Sequence, residues 1–442
     1  MKNLDQLIAK YNKAGPRYTS YPPVPFWKGA PSQETWFTHL STKCREGVDL
    51  YLHIPFCEKL CWYCGCNRVI TKDHSVEDKI ISLLLKEWEL YEKNIGPLKV
   101  NSLHLGGGTP TFLSPVNLKK LISSITQNRA ADFIGSIEVD PRTCTKEHLL
   151  VLKELGFKRI SLGIQDFDEL VQKSINRYQP VSLVEALIKE IREIGFESVN
   201  FDLIYGLPNQ SIESIKKTIE IVSRLGPDLI AFYGYAHLPS KIANQKLIKT
   251  SELPSPQLRQ KLYEAGKELL QSSGLLDIGM DHFAKETNYL YQAKITKNLH
   301  RNFMGYTDKK SACLIGLGPS AISDSGLSFV QNHKELDAYE RSLAAHTIPY
   351  ALGHIQSESD LIAQKHILEF MCLDEVELSY ELDHFVSITH ELAEFEKDGI
   401  VSIHQKNVKL TPMGKLFMRN VAMCFDHHLR EQKSSTRFSQ TV

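Results

Sequence analysis

A chain of 442 residues exceeds the length at which a single hydrophobic core stops growing, so more than one domain is expected. Its 52 Lys and Arg against 52 Asp and Glu leave no net charge to draw in nucleic acid or an anionic membrane, and any charged ligand must be met locally. No stretch approaches the roughly 18 apolar residues of a membrane span and the N-terminus lacks a signal-peptide core, which predicts a cytoplasmic protein; nine cysteines are too few and too unevenly spread for a disulfide scaffold.

Residues 1–47 are predicted to form an arm. The stretch GPRYTSYPPVPFW is too rich in proline and glycine for a regular element and too aromatic for plain disorder. From residue 48, short apolar runs alternate with helical patterns: DLYLHIPF, a helix near 76–95, VNSLHLGG, a helix near 115–127, GSIEVDP, a helix near 146–155, RISLGIQ, helical stretches across 167–195, SVNFDLIYG, a helix near 211–224, and LIAFYGYA. Six strands joined by helices predict an α/β fold with a parallel sheet, a partial (β/α)6 barrel of TIM-like type over residues 48–325, with chemistry at the carboxyl ends of the strands. Past DSG near 324 helical patterns take over. Within 326–442, KDGIVSIHQKNVKLTPMGKLFMRNVAMCF predicts strand, tight turn at Lys406 and Asn407, strand and helix, a winged-helix-like unit. It carries no basic stripe, so a lid or packing role is expected in place of nucleic-acid binding. The polar tail LREQKSSTRFSQTV is expected to be loosely ordered.

The unusual residues gather at one rim. HIPFCEKLCWYCGCN follows the first strand and GGGTP the second; Glu138 ends the third, Gln165 the fourth, Asp202 lies in the fifth and Ala236 closes the sixth. Cys57, Cys61 and Cys64, spaced C-x3-C-x2-C, can converge on one metal centre. A structural zinc site wants four ligands, usually from two knuckles, and no second knuckle exists. An iron–sulfur cubane held by three thiolates keeps one iron free for another ligand. Gly106–Pro110 either strips side chains from a place where backbone must approach a ligand or simply makes a tight turn. Asp202 in an apolar strand demands a defined partner, whereas Arg177, by its chemistry alone, suits a surface ion pair on a helix. Cys44, Cys144, Cys313, Cys372 and Cys424 read as ordinary buried thiols.

The C-x3-C-x-aromatic-C pattern, with Tyr63 before the last thiol, resembles the signature of radical S-adenosylmethionine enzymes. Further, GPRYTSYP, YLHIPFCEKLCWYCGCN, GGGTPTFL, SIEVDPR, GIQDFD, NFDLIYGLP, YAHLP, GMDHFA, LHRNF and GLGPSAIS occur in order, and together they resemble the oxygen-independent coproporphyrinogen III oxidases over essentially the whole chain. The resemblance implies a [4Fe-4S] cluster on Cys57, Cys61 and Cys64 and a deoxyadenosyl radical that converts two propionates of coproporphyrinogen III to vinyl groups in heme biosynthesis. It implies two molecules of S-adenosyl-L-methionine, one near Tyr51, Gly107, Glu138 and Ile322, the other near Tyr63, Gly108, Thr109, Gln165, Arg177, Asp202 and Ala236. Cys66 is implied as a catalytic thiol and not as a ligand. Partners so implied are an electron donor such as flavodoxin or ferredoxin and an unidentified terminal electron acceptor, with a monomer expected and no membrane or nucleic acid involved. Arg17 and Arg301 are candidates to face substrate carboxylates, with Tyr18 and Tyr21 as aromatic cover; His53, His282 and His300 default to satisfied core histidines. The rival is a heme chaperone of the same superfamily lacking oxidase activity; the arm, Cys66 and LHRNF stand against it.

Overall fold

The computed structural model describes residues 4–431, 438 and 441; most of the polar tail beyond Glu431 lies outside the described residues. The six expected strands are β1 (Val48–Ile54), β2 (Val100–Gly107), β3 (Arg129–Val139), β4 (Phe157–Gln165), β5 (Ser198–Tyr205) and β6 (Leu229–Gly234), and consecutive ones pair in parallel. The sheet runs further than the sequence pattern suggested. Adding β7 (Leu276–Gly279), β8 (His282–Ala284), β9 (Leu314–Leu317), β10 (Ile322–Asp324), β11 (Ser328–Asn332) and β12 (Tyr350–Ile355) gives twelve strands in the order β12-β11-β10-β9-β1-β2-β3-β4-β5-β6-β8-β7. Strand β9 pairs in parallel with β1, while β8 and β10 turn antiparallel at the two flanks.

Sequence dictates this layering directly. In β1 every residue but Tyr51 is buried, as expected of a strand covered on both faces, so hydrophobic alternation is lost. The crossovers are amphipathic helices with defined ends. Ile212–Leu225 begins at Ser211, whose side chain accepts from Ser214 N at 3.1 Å, and ends at left-handed Gly226. Helix Pro115–Ile125 is capped in the same way by Ser114. These helices bury leucine and isoleucine against the sheet in one continuous core.

A second core holds the C-terminal region. Helices Glu358–Leu373 and Phe385–Lys397 pack with a small sheet of β13 (Glu375–Glu377), β14 (Val401–His404) and β15 (Asn407–Leu410). The arm is shared between the cores. Its helix Leu4–Tyr11 and residues Tyr18 and Tyr21 enter the second core beside Ile367, Phe370 and Phe417, whereas helix Gln33–Lys43 buries Trp36 and Leu40 in the first.

Three expectations are corrected. The turn of the winged-helix-like unit is at Gln405 and Lys406, because Asn407 already pairs with His404 and Gln405 takes the left-handed conformation. The helical pattern placed after residue 325 begins instead with β11 and β12, which continue the large sheet; neither shows the alternation that marks a strand. Of the scattered cysteines, Cys144 is only half-buried, and Cys44 Sγ lies 2.6 Å from Cys313 Sγ. Among the described residues no helix is long and apolar enough to cross a membrane.

Candidate active site

The loop after β1 is held open by its backbone. Phe56–Cys57 pairs with Val69–Ile70, so the chain leaves and returns side by side. Asn244 Nδ2 donates to the carbonyls of Trp62 at 2.8 Å and Cys64 at 3.0 Å, and Gln245 Nε2 donates to that of Tyr63 at 2.9 Å. Asn176 Nδ2 donates to the Leu60 carbonyl at 2.8 Å. With the backbone secured from outside, Cys57, Cys61 and Cys64 all line one cavity as free thiols.

The surroundings of those sulfurs are cationic. Arg142 Nη2 and Arg177 Nη1 each donate to Cys61 Sγ at 3.5 Å, and the Thr109 hydroxyl lies 3.2 Å from Cys57 Sγ. Asp140 locks the two guanidiniums in place, accepting from Arg142 at 2.6 Å and Arg177 at 3.1 Å. Burial works against the Asp140 carboxylate, yet Arg177 and Arg142 together hold its pKa well below the usual range. Arg177 is buried and follows the short helix Glu169–Ser174; its Nη2 also donates to the Gly163 carbonyl at 2.6 Å. The exposed helix ion pair that its chemistry alone suggested is therefore corrected. Burial pushes the Cys57 thiol up to about 11, while the Cys66 thiol beside Cys64 holds Cys64 below its ordinary value. Cys66 itself is exposed at the cavity mouth, with its backbone N–H 3.5 Å from Cys64 Sγ.

Glycine is required in GGGTP by close approach. A methyl group at Gly107 would lie 2.8 Å from the Ile54 carbonyl, and one at Gly108 would lie 2.7 Å from the Phe56 carbonyl and 3.1 Å from Cys57 Sγ. Gly107 also has a φ of 114°, which L side chains rarely adopt. The turn and the ligand-approach readings of this stretch thus coincide: the tight backbone lays Gly107, Gly108 and Thr109 along the cavity wall beside the thiols.

Glu138, Gln165 and Asp202 also line the cavity. Asp202 accepts from the Ser161 hydroxyl at 2.8 Å and from Asn200 Nδ2 at 3.0 Å. Burial first, and the Glu138 carboxylate second, raise its pKa to about 6. Gln165 is buried with a left-handed φ of 68°, and Glu138, half exposed, lies 3.4 Å from His104 Nε2. Tyr63 lines the same space. Tyr51, Ala236 and Ile322 do not: Tyr51 stacks on His104 and contacts His53, the Ala236 carbonyl accepts from Gln245, and Ile322 pairs with Gln331 in the sheet. The cavity, about 440 Å³, falls in the range of roughly 300–1,000 Å³ common to small-molecule sites.

Tyr233, His282 and Tyr306 line the same cavity. Arg301 is buried with its guanidinium 4.8 Å from the Tyr306 ring centroid, and among the described residues its Nε and Nη1 find no hydrogen-bond partner. His53 and His282 are satisfied core histidines, bonded to the carbonyls of Asn67 and Met280 at 2.8 Å. Tyr18 and Tyr21 are not aromatic cover for this space; both are buried in the second core, with the Tyr18 hydroxyl donating to Asp426 at 2.9 Å. Asp140, Arg142, Asn244 and Gln245 carry no notice in the sequence reading. For the first two a signal existed, since an Asp and an Arg two apart immediately past a strand end sit at the functional rim; Asn244 and Gln245 have none.

Three thiols on a secured loop, a glycine wall and a cationic surround define the class: residues 51–222 match the Radical SAM superfamily model. The whole chain is similar to the oxygen-independent coproporphyrinogen III oxidases of Escherichia coli K12, 38% identical with 99% of this chain and 98% of the relative covered, and Helicobacter pylori J99, 38% identical with 100% of both covered. The solved structure of coproporphyrinogen III oxidase HemN from E. coli, described as a radical SAM enzyme, superposes with a TM-score of 0.90 at 36% identity over 96% of this chain and 99% of that one. The chain belongs to the oxygen-independent coproporphyrinogen III oxidase family.

Proposed function

We propose that this protein carries out the anaerobic oxidative decarboxylation of two propionate side chains of coproporphyrinogen III to vinyl groups, giving protoporphyrinogen IX in heme biosynthesis. The observation that carries the reading is one cavity lined both by the Cys57, Cys61 and Cys64 thiols and by Tyr306, over whose ring lies the buried Arg301 guanidinium with its Nε and Nη1 unbonded among the described residues. Each propionate loses a hydrogen atom from its β-carbon, then carbon dioxide and one electron. A [4Fe-4S] cluster and S-adenosyl-L-methionine, when bound, supply the one-electron chemistry that removes the hydrogen atom.

The donor set fits that cluster: three free thiols facing one space beside two guanidiniums that favour the thiolate form. Gly107, Gly108 and Thr109 then offer backbone and a hydroxyl to an amine and a carboxylate. Asp202 and Glu138 are acceptors for ribose hydroxyls or an ammonium group, and Gln165 and Arg177 orient a second S-adenosylmethionine. Tyr51 and Ile322 support the first molecule from behind, and Tyr63 and Ala236 the second. Arg301, and Arg17 from the arm, bind propionate carboxylates; a guanidinium fork suits such a group. The barrel is taken as the catalytic unit, with the arm and the winged-helix-like region as its cover. Their shared core supports that role over nucleic-acid recognition. The protein is assigned to the cytoplasm as a monomer, drawing electrons from a flavodoxin or ferredoxin and passing them to an acceptor of unknown identity.

The test is anaerobic turnover by reconstituted protein given reductant, S-adenosylmethionine and coproporphyrinogen III. Protoporphyrinogen IX is expected. Deoxyadenosine release without porphyrinogen conversion, together with stoichiometric heme retention, would overturn the reading in favour of a chaperone.

A further inference from the structure

Far along the chain from the cysteine loop, a second set of ligating side chains converges where the large sheet meets the C-terminal core. His354 comes from β12, Asp360 from the first turn of helix Glu358–Leu373, and His427 and His428 from the short helix His427–Arg430. His354 Nε2 lies 3.0 Å from Asp360 Oδ2; His428 Nε2 and His427 Nε2 lie 2.7 and 3.3 Å from Asp360 Oδ1. The ligand atoms of His354, Asp360 and His428 all fall within 4.8 Å of one another. A tetrahedron with metal–nitrogen bonds of about 2.0 Å spaces its donor atoms by about 3.3 Å, so those three donors would close by up to about 1.5 Å to seat an ion, and the His427 ring, 3.3 Å from Asp360 Oδ1 but outside that group, would swing in as the fourth.

Without an ion, the Asp360 carboxylate is crowded. Five donors converge on one carboxylate: the three imidazoles, the Ser357 N–H at 2.9 Å and the Ser357 hydroxyl at 2.9 Å. The Asp360 side chain is 3% exposed and those of His427 and His428 are each 11% exposed. One carboxylate can balance one imidazolium, and charging more of them in so enclosed a place is costly. Three neutral imidazoles and one carboxylate around a divalent cation leave a single positive charge and use every Nε2 as a donor of electrons.

The outer partners are also those of a metal site. Ser357 closes a capping box with Asp360, which fixes the carboxylate and turns Oδ1 toward the histidines. The Tyr21 hydroxyl oxygen accepts from the His427 backbone N–H at 3.1 Å and lies 3.0 Å from His427 Nδ1; accepting from that nitrogen with its second lone pair, it would hold the tautomer in which Nε2 is free to ligate. The Phe26 ring stacks on His428 at 5.7 Å.

We propose that His354, Asp360, His427 and His428 form a binding site for one divalent transition-metal ion, with zinc favoured by the three-imidazole, one-carboxylate donor set. The site clasps together the edge of the large sheet, the second core and, through Tyr21, the arm. It contains no sulfur, which separates it experimentally from the cysteine loop. In the full chain with Cys57, Cys61 and Cys64 all replaced by Ser and metals stripped, cobalt(II) is expected to bind one ion per chain, giving the visible bands of a tetrahedral site and no thiolate charge-transfer absorption. Zinc should displace the cobalt and raise the melting temperature. His428→Gln and, separately, His354→Gln should each abolish both effects while keeping the circular dichroism of the parent. In protein with its cluster assembled, elemental analysis should find one zinc beyond the iron. Failure of the parent to take up cobalt or zinc would overturn the proposal, as would unchanged binding by both variants in their folded form.

Discussion

Asp140 and Asp202 line one cavity, two strands apart in the same sheet, and are treated in opposite ways. Asp140, at the end of β3, is clamped by Arg142 and Arg177 and stays ionised in spite of burial. Asp202, in β5, receives only a hydroxyl and an amide, and its pKa rises to about 6. Around Asp140, charge is already balanced among protein groups, and the guanidiniums so fixed are turned on the cysteine sulfur. Asp202 has a neutral donor on each oxygen but no cation bonded to it, as suits a group whose charged partner arrives with the ligand. The pair shows that a buried carboxylate is informative about function only once its partners are known.

The largest effect that bears on this contrast is at the thiols. Cys57→Ser, Cys61→Ser or Cys64→Ser should each abolish cluster assembly and turnover, read by iron content and visible absorption; an intact cluster in any of them would break the assignment of the cationic wall. Next, the proposed catalytic role of Cys66, which lines the cavity beside Cys64, predicts that Cys66→Ser keeps its cluster and loses turnover; full activity would remove that role. Asp140→Asn leaves two buried guanidiniums without their counter-charge, and loss of one partner of a buried pair costs about 3–5 kcal/mol, to be seen in denaturant midpoints. Asp202→Asn should weaken S-adenosylmethionine binding by roughly tenfold, the value of a hydrogen bond to a charged group. Wild-type affinity should also fall as pH drops through about 6, where Asp202 gains a proton, and that pH dependence should vanish in the variant.

Much of the rim was legible because its chemistry is local in sequence. The thiols occupy one short loop, the glycines one turn, and Asp202 stands out as an acid in an apolar strand, so spacing and resemblance reached them. Asp140, Arg142 and Arg177 were harder, because what makes them a unit is their convergence on Cys61 from two separate loops. Asn244 and Gln245 secure the cysteine loop from about 180 residues away and look like any polar pair. The same limit hid the His354, Asp360 and His428 cluster, whose only local trace is two adjacent histidines. In the fold, β1 to β6 were readable from their alternation with helices. Strands β11 and β12 were not: in β11 almost every residue is buried and in β12 burial does not alternate, which erases the period of two. Tyr18 and Tyr21 misled for a related reason: an aromatic arm next to an active site reads as a cover, but burial in a second core uses the same residues.

The contrast between the two carboxylates is tested most directly by the pH dependence of stability in protein lacking cluster and ligand. A carboxylate with a depressed folded pKa contributes stability above its unfolded value of about 3.9, lost as pH falls below it; one raised to about 6 costs stability increasingly between about pH 4 and 6 and by a constant amount above. At pH 8, urea denaturation should therefore show Asp140→Asn less stable than wild type and Asp202→Asn more stable, the latter by about 3 kcal/mol, with the Asp202→Asn gain gone by about pH 4. Destabilisation of similar size in both variants at pH 8 would contradict the account.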